Sequence, residues 1–388
     1  MPWKETDVTS ERMKFITRIQ DGEKITDLCR EFNISRKTGH KILKRFEIEG
    51  PIGLVDKRRT PRRFANQTHQ WIQKLILELK SERPTWGAPK IKAYLERKHS
   101  GIKFPARSTV HALLDANGLV KKRRRRRYKA SGTNLRATNN PNDLWCVDFK
   151  GEFRLGNKKY CYPLTVTDHK TRFLLECEAL ESTKEDPTIE AFKHVFREYG
   201  LPHAIRSDNG VPFSTRTLFG LSKLSVWWLR LGIKIERIKP GHPEQNGRHE
   251  RMHLTLKQDT IKPPCDNLFQ QQERFDNYKI EFNTERPHEA LGMKTPSDFY
   301  KKSTKVFPEH LPEIEYPFHD RTQLVTNCGI VHLKNRKRFF LSSVFGGQPV
   351  GLSEVDDDLW LVSFMDFDLG YYDLKEKEFA VLDTAFPS

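Results

Sequence analysis

The segments AIRSDNG, residues 204–210, and GHPEQNGRHERMHLTLK, residues 241–257, decide the fold prediction. In the first segment a short apolar run ends in Asp208 and a glycine turn, a pattern typical of a strand that ends in an acid. The second segment opens with turn residues and continues into a helical pattern that carries Glu250. Two carboxylates can therefore meet in space although they are distant in sequence.

A third acid, Asp148, interrupts the strand-like segment LWCVDFKGEF at residues 144–153. Carboxylates from two strands and one helix form the oxygen-rich ligand set that a pair of Mg²⁺ ions requires. The pattern therefore predicts a two-metal site, in which Mn²⁺ can substitute for Mg²⁺.

The composition points to a polyanionic partner. The 388 residues favour two to four domains, and 68 Lys and Arg against 51 Asp and Glu leave a net charge of +17. Such an excess favours nucleic acid or an anionic membrane surface. The membrane option is weak because no run of about 18 apolar residues and no signal-peptide pattern occurs, so we expect a soluble, cytoplasmic protein. The scattered cysteines support neither a disulfide framework nor a zinc site.

Residues 1–50 show three helical patterns, at 10–20, 24–32 and 35–46. Basic and polar residues at the start of the third helix are typical of a helix-turn-helix, whose recognition helix reads the major groove from its N-terminal end. An ordinary three-helix bundle with a solvated basic face remains the alternative. Residues 51–65 are predicted to be a basic linker. The predicted DNA contacts are Arg36, Lys37, Thr38, His40 and Lys41.

A second helix-turn-helix is predicted over residues 66–120. Its first helix, 68–82, places Trp71, Leu75, Ile76 and Leu79 at helical spacing, and two further helices follow. Two such units in tandem make the plain bundle less attractive. The groove-facing residues of this unit are predicted to be Arg107, Ser108, Thr109 and His111.

A polybasic linker is predicted over residues 121–143. Runs of like charge are usually disordered segments that bind nucleic acid without sequence specificity. The residues predicted to do so are Lys121, Lys122, Arg123, Arg124, Arg125, Arg126 and Arg127.

From residue 144 the pattern changes to α/β. Three short β segments joined by turns predict an antiparallel meander, and a helix, strand, helix, strand and helix follow. This is the order of a ribonuclease-H-like mixed sheet with helices on its faces, which we assign to residues 144–300. Residues 301–320 are a predicted linker and 321–388 a small antiparallel β domain. The fold class is thus multidomain α/β, with VDDDLW at 355–360 as a hairpin turn.

In their order along the chain, these motifs resemble the DDE transposases of bacterial insertion sequences, whose catalytic core is shared with retroviral integrases. The matching strings are WCVDF around Asp148, SDNG at 207–210, HPEQNGRHERMH at 242–253 and FNTERPHEALGMKTP at 282–296. Together with the helix-turn-helix units, the resemblance extends over roughly residues 9–300.

The resemblance implies a catalytic triad of Asp148, Asp208 and Glu250, which would also be the metal ligands. Glu244 competes for the third position, but Pro243 and Gly247 set the register that points to Glu250.

On the helix of Glu250, Asn246 and His253 lie on one side and are predicted to touch the scissile phosphate or to brace a metal ligand. A polar, solvated helix surface is the alternative for both. Arg248 and Lys257 are predicted to face DNA. Asn209 and Gly210 are interpreted as a turn in which glycine supplies a positive φ.

The implied function is that of a bacterial, nucleoid-associated transposase that binds the inverted repeats of its element through residues 9–120. It would hydrolyse the element ends to expose 3′-hydroxyls and join them to target DNA, working as a homodimer or higher oligomer. The alternative is a catalytically inactive, transposon-derived DNA-binding regulator. A ribonuclease H or junction nuclease would keep the chemistry but leaves the helix-turn-helix units unexplained.

Overall fold

The computed structural model describes residues 7–57, 67–120, 138–215, 219–238, 243–333 and 337–382. The chain forms two compact units, Met1–Thr68 and His69–Ser388. In the part of the chain that the structure describes, no helix has the length and apolar composition needed to cross a membrane.

The first unit is a small helical bundle. Its core is formed mainly by Phe15, Ile16, Leu28 and Cys29. Gly39 lies against this core so closely that a Cβ atom would stand 2.5 Å from the Cys29 Sγ, which explains why a glycine sits in the third helix. The elements are α1 Val8–Gln20, α2 Ile25–Glu31, α3 Arg36–Glu49 and a 3-10 turn Gly50–Leu54.

The start of the predicted linker is folded onto this unit. Leu54, in the 3-10 turn, is buried in the core of the bundle, and Arg12 on α1 donates a hydrogen bond to its carbonyl oxygen at 2.6 Å. The basic character of the segment concealed the apolar residue that anchors its beginning.

The second unit begins with three helices around Ile76, Trp86, Ile91 and Leu114. Of the four apolar residues noted at helical spacing on the first helix, Trp71 lies outside this core, because the residue is 48% exposed and the neighbouring Ile72 is buried instead. A helical pattern defines a face only to within a residue. The elements are α4 Gln70–Glu82, α5 Ala88–Lys98 and α6 Arg107–Ala116.

A mixed sheet with helices on both faces follows, as predicted. The strand order is β4-β3-β1-β5-β6, and β2 pairs with the outer part of β3. Neighbours are antiparallel from β4 to β1 and parallel from β1 to β6. The strands are β1 Trp145–Phe149, β2 Phe153–Arg154, β3 Tyr160–Asp168, β4 Leu174–Leu180, β5 Ala204–Ser207 and β6 Lys234–Arg237, and the helices are α7 Glu185–Tyr199, α8 Lys223–Arg230, α9 Gly247–Leu256 and α10 Leu268–Ile280.

The two faces of this sheet have separate cores. Trp145 and Val147 pack against the aromatic side chains of α7 and α8. On the other face, Cys161 and Cys177 pack with α9 and α10. Side chains alternate along a strand, so the face that β1 turns toward α9 receives Asp148.

Helix α10 was not predicted from the sequence. Its buried residues Phe275 and Tyr278, with Phe282 just beyond, follow a helical spacing that would have revealed it. The chain then passes through short turns at Glu281–Glu285, Glu289–Leu291 and Pro296–Asp298.

The C-terminal region is antiparallel β structure, as predicted. The sheet order is β13-β12-β11-β10-β7, beside a separate hairpin of β8 and β9. Its core continues into the mixed-sheet region, where Val226 and Leu229 of α8 pack against it. Asp358, at φ +66°, makes the hairpin turn predicted for VDDDLW. The strands are β7 Arg321–Leu324, β8 Ile330–His332, β9 Arg338–Phe340, β10 Pro349–Asp356, β11 Leu359–Phe364, β12 Phe367–Asp373 and β13 Glu378–Val381.

Candidate active site

Two of the three predicted acids stand at the carboxyl ends of neighbouring parallel strands. Cys146 of β1 pairs with Arg206 of β5, and continuing this register by two residues places Asp148 beside Asp208. Because adjacent strands lie about 4.8 Å apart, the two acids occupy one short edge of the sheet.

Helix α9 is held against this edge by a buried network of histidines and threonines. The Thr165 Oγ1 lies 2.8 Å from the His249 Nε2 and 2.7 Å from the His253 Nε2. The Thr167 Oγ1 lies 2.7 Å from the His249 Nδ1, and the His253 Nδ1 lies 3.7 Å from the Asp148 Oδ2. The network therefore connects the helix of Glu250 directly to the strand edge of Asp148.

The hydrogen bonds in this network fix which ring nitrogens carry protons. Thr165 donates its hydroxyl proton to the Asp148 carbonyl oxygen at 3.0 Å, an acceptor that has no proton to give. Both histidine Nε2 atoms must then donate to the Thr165 oxygen. Burial favours the neutral rings, since it lowers the pKa of His249 to about 3 and that of His253 further.

Sequence analysis missed His249, Thr165 and Thr167. The signal was present, because His249 and His253 are four residues apart on one helical face and the threonines are two apart on one strand face. For His253, two roles were open. Only 5% of the residue is exposed, which limits contact with a phosphate, and its hydrogen bond to Thr165 ties α9 to the sheet that carries Asp148.

We call Asp148, Asp208 and Glu250 the acid cluster. The negative charges of its two aspartates are destabilised in the protein alone. Burial, followed by the charge of Asp208, raises the pKa of Asp148 to about 7, and the charge of Glu250 contributes in the same direction. Burial also raises the pKa of Asp208, although the Gly210 amide donates a hydrogen bond to its carboxylate at 3.2 Å and opposes the change. A divalent cation between these carboxylates would relieve the repulsion.

The donor set fits a hard divalent cation, although its side chains do not form a closed cage. Among the described residues, no group of three or more His, Cys, Asp or Glu side chains is arranged to hold a metal ion. Asp148 and Asp208 are partly buried, whereas Glu250 is exposed on the first turn of α9. The first two would therefore hold a cation, and a rotamer change of Glu250 would complete the set.

The turn before α9 is attached to the parallel strands. Buried Arg206 forms an ion pair with Glu236 of β6 at 2.6 Å and donates to the Gln245 carbonyl oxygen at 3.3 Å. Asn246 is buried, and its Oδ1 has no partner among the described residues. The side chain of Glu244 lies outside the described residues, so only its backbone, in the turn Pro243–Asn246, is placed.

The reason predicted for Gly210 is wrong. The residue does not have a positive φ, but a Cβ atom there would stand 3.0 Å from the Asp208 Oδ2. Glycine therefore allows the close approach of the backbone to the carboxylate, which a larger residue would displace. Asn209 does stabilise the turn, since its side chain donates to the Ile238 carbonyl oxygen at 2.8 Å.

The predicted DNA contacts outside the acid cluster are mostly exposed. Arg248 and Lys257 are exposed on and after α9. The basic run Lys121–Arg127 lies outside the described residues. At the starts of α3 and α6 the exposed residues are Arg36, Lys37, Thr38, His40, Lys41, Arg107, Ser108, Thr109 and His111.

Family models match the same parts of the chain. Residues 138–243 and 231–296 each match an integrase core domain. Residues 11–62 match a helix-turn-helix domain, and residues 38–114 match a homeodomain-like domain. The chain carries an integrase core behind helix-turn-helix domains. The predicted integrase core and helix-turn-helix domains are thereby confirmed.

Two curated relatives of the chain come from insertion elements. The chain is 26% identical over 232 residues to an uncharacterised 31.7 kDa protein of insertion element IS407 from Burkholderia multivorans, covering 58% of this chain and 79% of that protein. It is 26% identical over 180 residues to an uncharacterised 39.2 kDa protein of insertion element IS476 from Xanthomonas euvesicatoria, covering 46% and 50%.

Solved retroviral structures show a low similarity to this chain. The HTLV-2 integrase catalytic core domain in complex with magnesium is 17% identical, with a TM-score of 0.34 over 42% of this chain and 98% of that one.

Proposed function

We propose that the chain is a DNA transposase that cleaves the ends of an insertion element and joins them to target DNA. The observation that carries the proposal is the pair Asp148 and Asp208 at adjacent strand ends, with Glu250 on the helix above them, in an integrase core. In this proposal the helix-turn-helix domains bind the inverted repeats, in the bacterial cytoplasm and on the nucleoid.

The reaction would exchange phosphodiester bonds in two steps. Water attacks the phosphorus at the element end, the P–O bond to the 3′ oxygen breaks, and a 3′-hydroxyl is released. That hydroxyl then attacks a phosphorus in target DNA, and the leaving oxygen takes the proton. Each step forms one P–O bond and breaks another, so no high-energy cofactor is consumed.

Asp148, Asp208 and Glu250 would hold Mg²⁺, two ions in the full site, with Mn²⁺ as a substitute. When bound, the metal would activate the attacking oxygen and stabilise the charge on the leaving one. The hydrogen bond between His253 and Thr165 would hold α9 against the sheet, next to Asp148. In this way the two residues would position Asp148. Neutral histidines there leave the negative charge of the acid cluster intact.

Assembly as a homodimer or higher oligomer on DNA also belongs to this proposal, because two element ends must be held together for joining. Asp148, Asp208 and Glu250 belong to one integrase core, so in this proposal each copy would carry its own site.

Cleavage of a labelled element end tests the proposal. The DNA that flanks the coding sequence in its source supplies the substrate, incubated with the full chain and Mg²⁺ or with a chelator. We expect metal-dependent nicking and joined products from the wild type, and neither from Asp208→Asn, which should still bind the DNA. Binding without nicking by the wild type would favour the inactive regulator instead.

A further inference from the structure

A cavity of about 610 Å³ opens between the second helical bundle and the integrase core. It is bordered by α5, the turn between β3 and β4, α9 and the segment after α10. We call it the arginine pocket, after its cationic side chains, which are Lys90, Arg172, Arg248, Arg251 and Arg286.

The arginine pocket is separate from the acid cluster. Successive residues of an α-helix are rotated by about 100°. Arg248, Met252 and Thr255 of α9 line the pocket, and Glu250 projects from roughly the opposite side of the helix. Neither Asp148 nor Asp208 borders the cavity.

The cations of the pocket repel one another. Burial, followed by the charges of Arg286 and Arg251, lowers the pKa of Lys90 to about 8. Burial and then the charges of Arg248 and Arg251 lower the pKa of Arg172. These side chains are therefore held close together at a cost to the free energy of folding.

Little within the protein compensates this charge. Arg286 pairs with Asp259 at 3.0 Å, but no carboxylate among the described residues lies within ion-pair distance of Lys90, Arg172 or Arg251. Of the two acids that border the pocket, Asp168 is buried and accepts its hydrogen bonds from Thr171 and Asn142, and Glu289 is exposed.

A neutral histidine also borders the pocket. Burial, followed by the charges of Lys90 and Arg286, lowers the pKa of His288 to about 3, so the ring is uncharged at neutral pH. Its Nε2 atom is buried and has no hydrogen-bond partner among the described residues. The other ring nitrogen donates to the backbone carbonyl of Phe282, so Nε2 carries the lone pair of the neutral ring. A buried polar atom without a partner costs folding free energy, which a proton donor in the pocket, such as a water bound to a phosphate, would recover.

We propose that the arginine pocket binds a backbone phosphate of DNA, at a position fixed between the second helical bundle and the catalytic helix. Guanidinium groups match phosphate oxygens in geometry and charge. The inference rests on the proposed function, because it takes the phosphate to belong to DNA held by the transposase.

The geometry suits a phosphate on a polymer that crosses from the bundle to the core. Arg83 of the bundle pairs with Glu281 at 2.9 Å and with Glu285 at 3.0 Å, and Arg97 pairs with Asp298 at 3.0 Å. The exposed start of α6 and the pocket are thus held in one unit. If α6 reads the sequence of a DNA duplex, the arginine pocket would contact that duplex at a constant distance from the sequence that α6 recognises.

The test measures how the affinity of the full chain for a labelled duplex depends on salt. We compare Arg172→Gln and Lys90→Gln with the matched variant Lys92→Gln, since Lys92 lies on the same helix but is paired with Glu96. Each lost phosphate contact should reduce the slope of log affinity against log salt by about 0.9 and weaken binding by about three- to tenfold at moderate salt. Lys92→Gln should keep the wild-type slope.

Thermal unfolding without DNA separates this role from a structural one. Removing a repelling cation should leave the melting temperature of Arg172→Gln at or above that of the wild type. A fall in melting temperature with an unchanged salt slope would overturn the proposal.

A pyrophosphate titration distinguishes DNA from a small ligand. If pyrophosphate stabilises the wild type but the variants keep the wild-type salt slope, the pocket serves a free phosphate compound and the proposal is wrong. If the wild type binds no DNA, the proposed function itself fails, and the inference fails with it.

Discussion

Helix α9 separates two clusters of like charge. On one side Glu250 faces Asp148 and Asp208, and on the other Arg248 and Arg251 contribute to the arginine pocket. Within the described part of the chain, the arginine pocket has one ion pair, between Arg286 and Asp259, and the acid cluster has none with a lysine or arginine. In the proposed function, the acids would bind divalent cations and the cations of the arginine pocket would bind the DNA backbone.

In the same domain, Arg206 is a buried charge that is compensated by partners within the protein. It has an ion pair with Glu236 and a backbone acceptor in the turn before α9. We infer that clustered charges without a partner inside the protein indicate a binding surface. A buried charge that has a partner inside the protein indicates a structural contact. Mutations on either side of α9 should therefore reduce function, and mutation of Arg206 should reduce stability.

Mutation of the acid cluster should have the largest effect on the rate of nicking. Glu250→Gln should slow nicking of an element end by about a thousandfold or more, because metal ions supply several kcal/mol of transition-state stabilisation. Glu244→Gln is the matched control and should stay within a few-fold of the wild type in the same single-turnover assay. The reverse result would place the third ligand at Glu244.

Mutation of Arg206, the compensated charge, should give the largest change in the free energy of unfolding. Arg206→Met leaves Glu236 without its partner and should lower the free energy of unfolding by about 3–5 kcal/mol, measured by chemical denaturation. The double variant with Glu236→Met should recover much of this loss. Equal destabilisation by Arg172→Gln would remove the distinction between the two kinds of charge.

Disruption of the histidine network should have an intermediate effect. Thr165→Val removes the hydroxyl shared by His249 and His253 and should slow nicking about ten- to a hundredfold, as loss of residues supporting metal ligands does. Thr165→Ser should restore the rate. A rate for Thr165→Val equal to the wild type would show that the network does not position Asp148.

The smallest effect should appear at the edge of the arginine pocket. Glu289 is exposed there, and its charge partly offsets the repulsion that lowers the pKa of Lys90. Glu289→Gln removes the repulsion between this carboxylate and a phosphate and should tighten DNA binding about two- to fourfold at low salt. Weaker binding would indicate that Glu289 positions a cation of the pocket.

The sequence predicted the fold well where local patterns repeat. Alternation in WCVDF and apolar runs that end in turns gave the strands, and the position of Asp208 at a strand end followed from them. Helix α10 was missed although Phe275 and Tyr278 carry its pattern. The apolar pattern of α4 did not distinguish Trp71 from its neighbour Ile72.

The arginine pocket and the active site depend on contacts between residues that are distant in the sequence. No local sequence pattern reveals such contacts. Lys90, Arg172, Arg251 and Arg286 come together only when the bundle packs on the core, so their mutual repulsion is invisible in the sequence. Gly210 was recognised as a turn residue, but the close approach to Asp208 emerges only in three dimensions. Asp148 and Asp208 were predicted because one interrupts and the other ends an apolar segment, which is a local feature. The choice of Glu250 over Glu244 came from the family resemblance.

Binding of Mn²⁺ to the full chain on element-end DNA, followed by electron paramagnetic resonance, tests the division between the two faces most directly. We predict that the wild type and Arg172→Gln bind Mn²⁺ alike once saturated with DNA, whereas Asp208→Asn loses most of the bound metal while DNA remains bound. Equal Mn²⁺ binding by Asp208→Asn and the wild type would contradict the assignment of the acid cluster as the metal site.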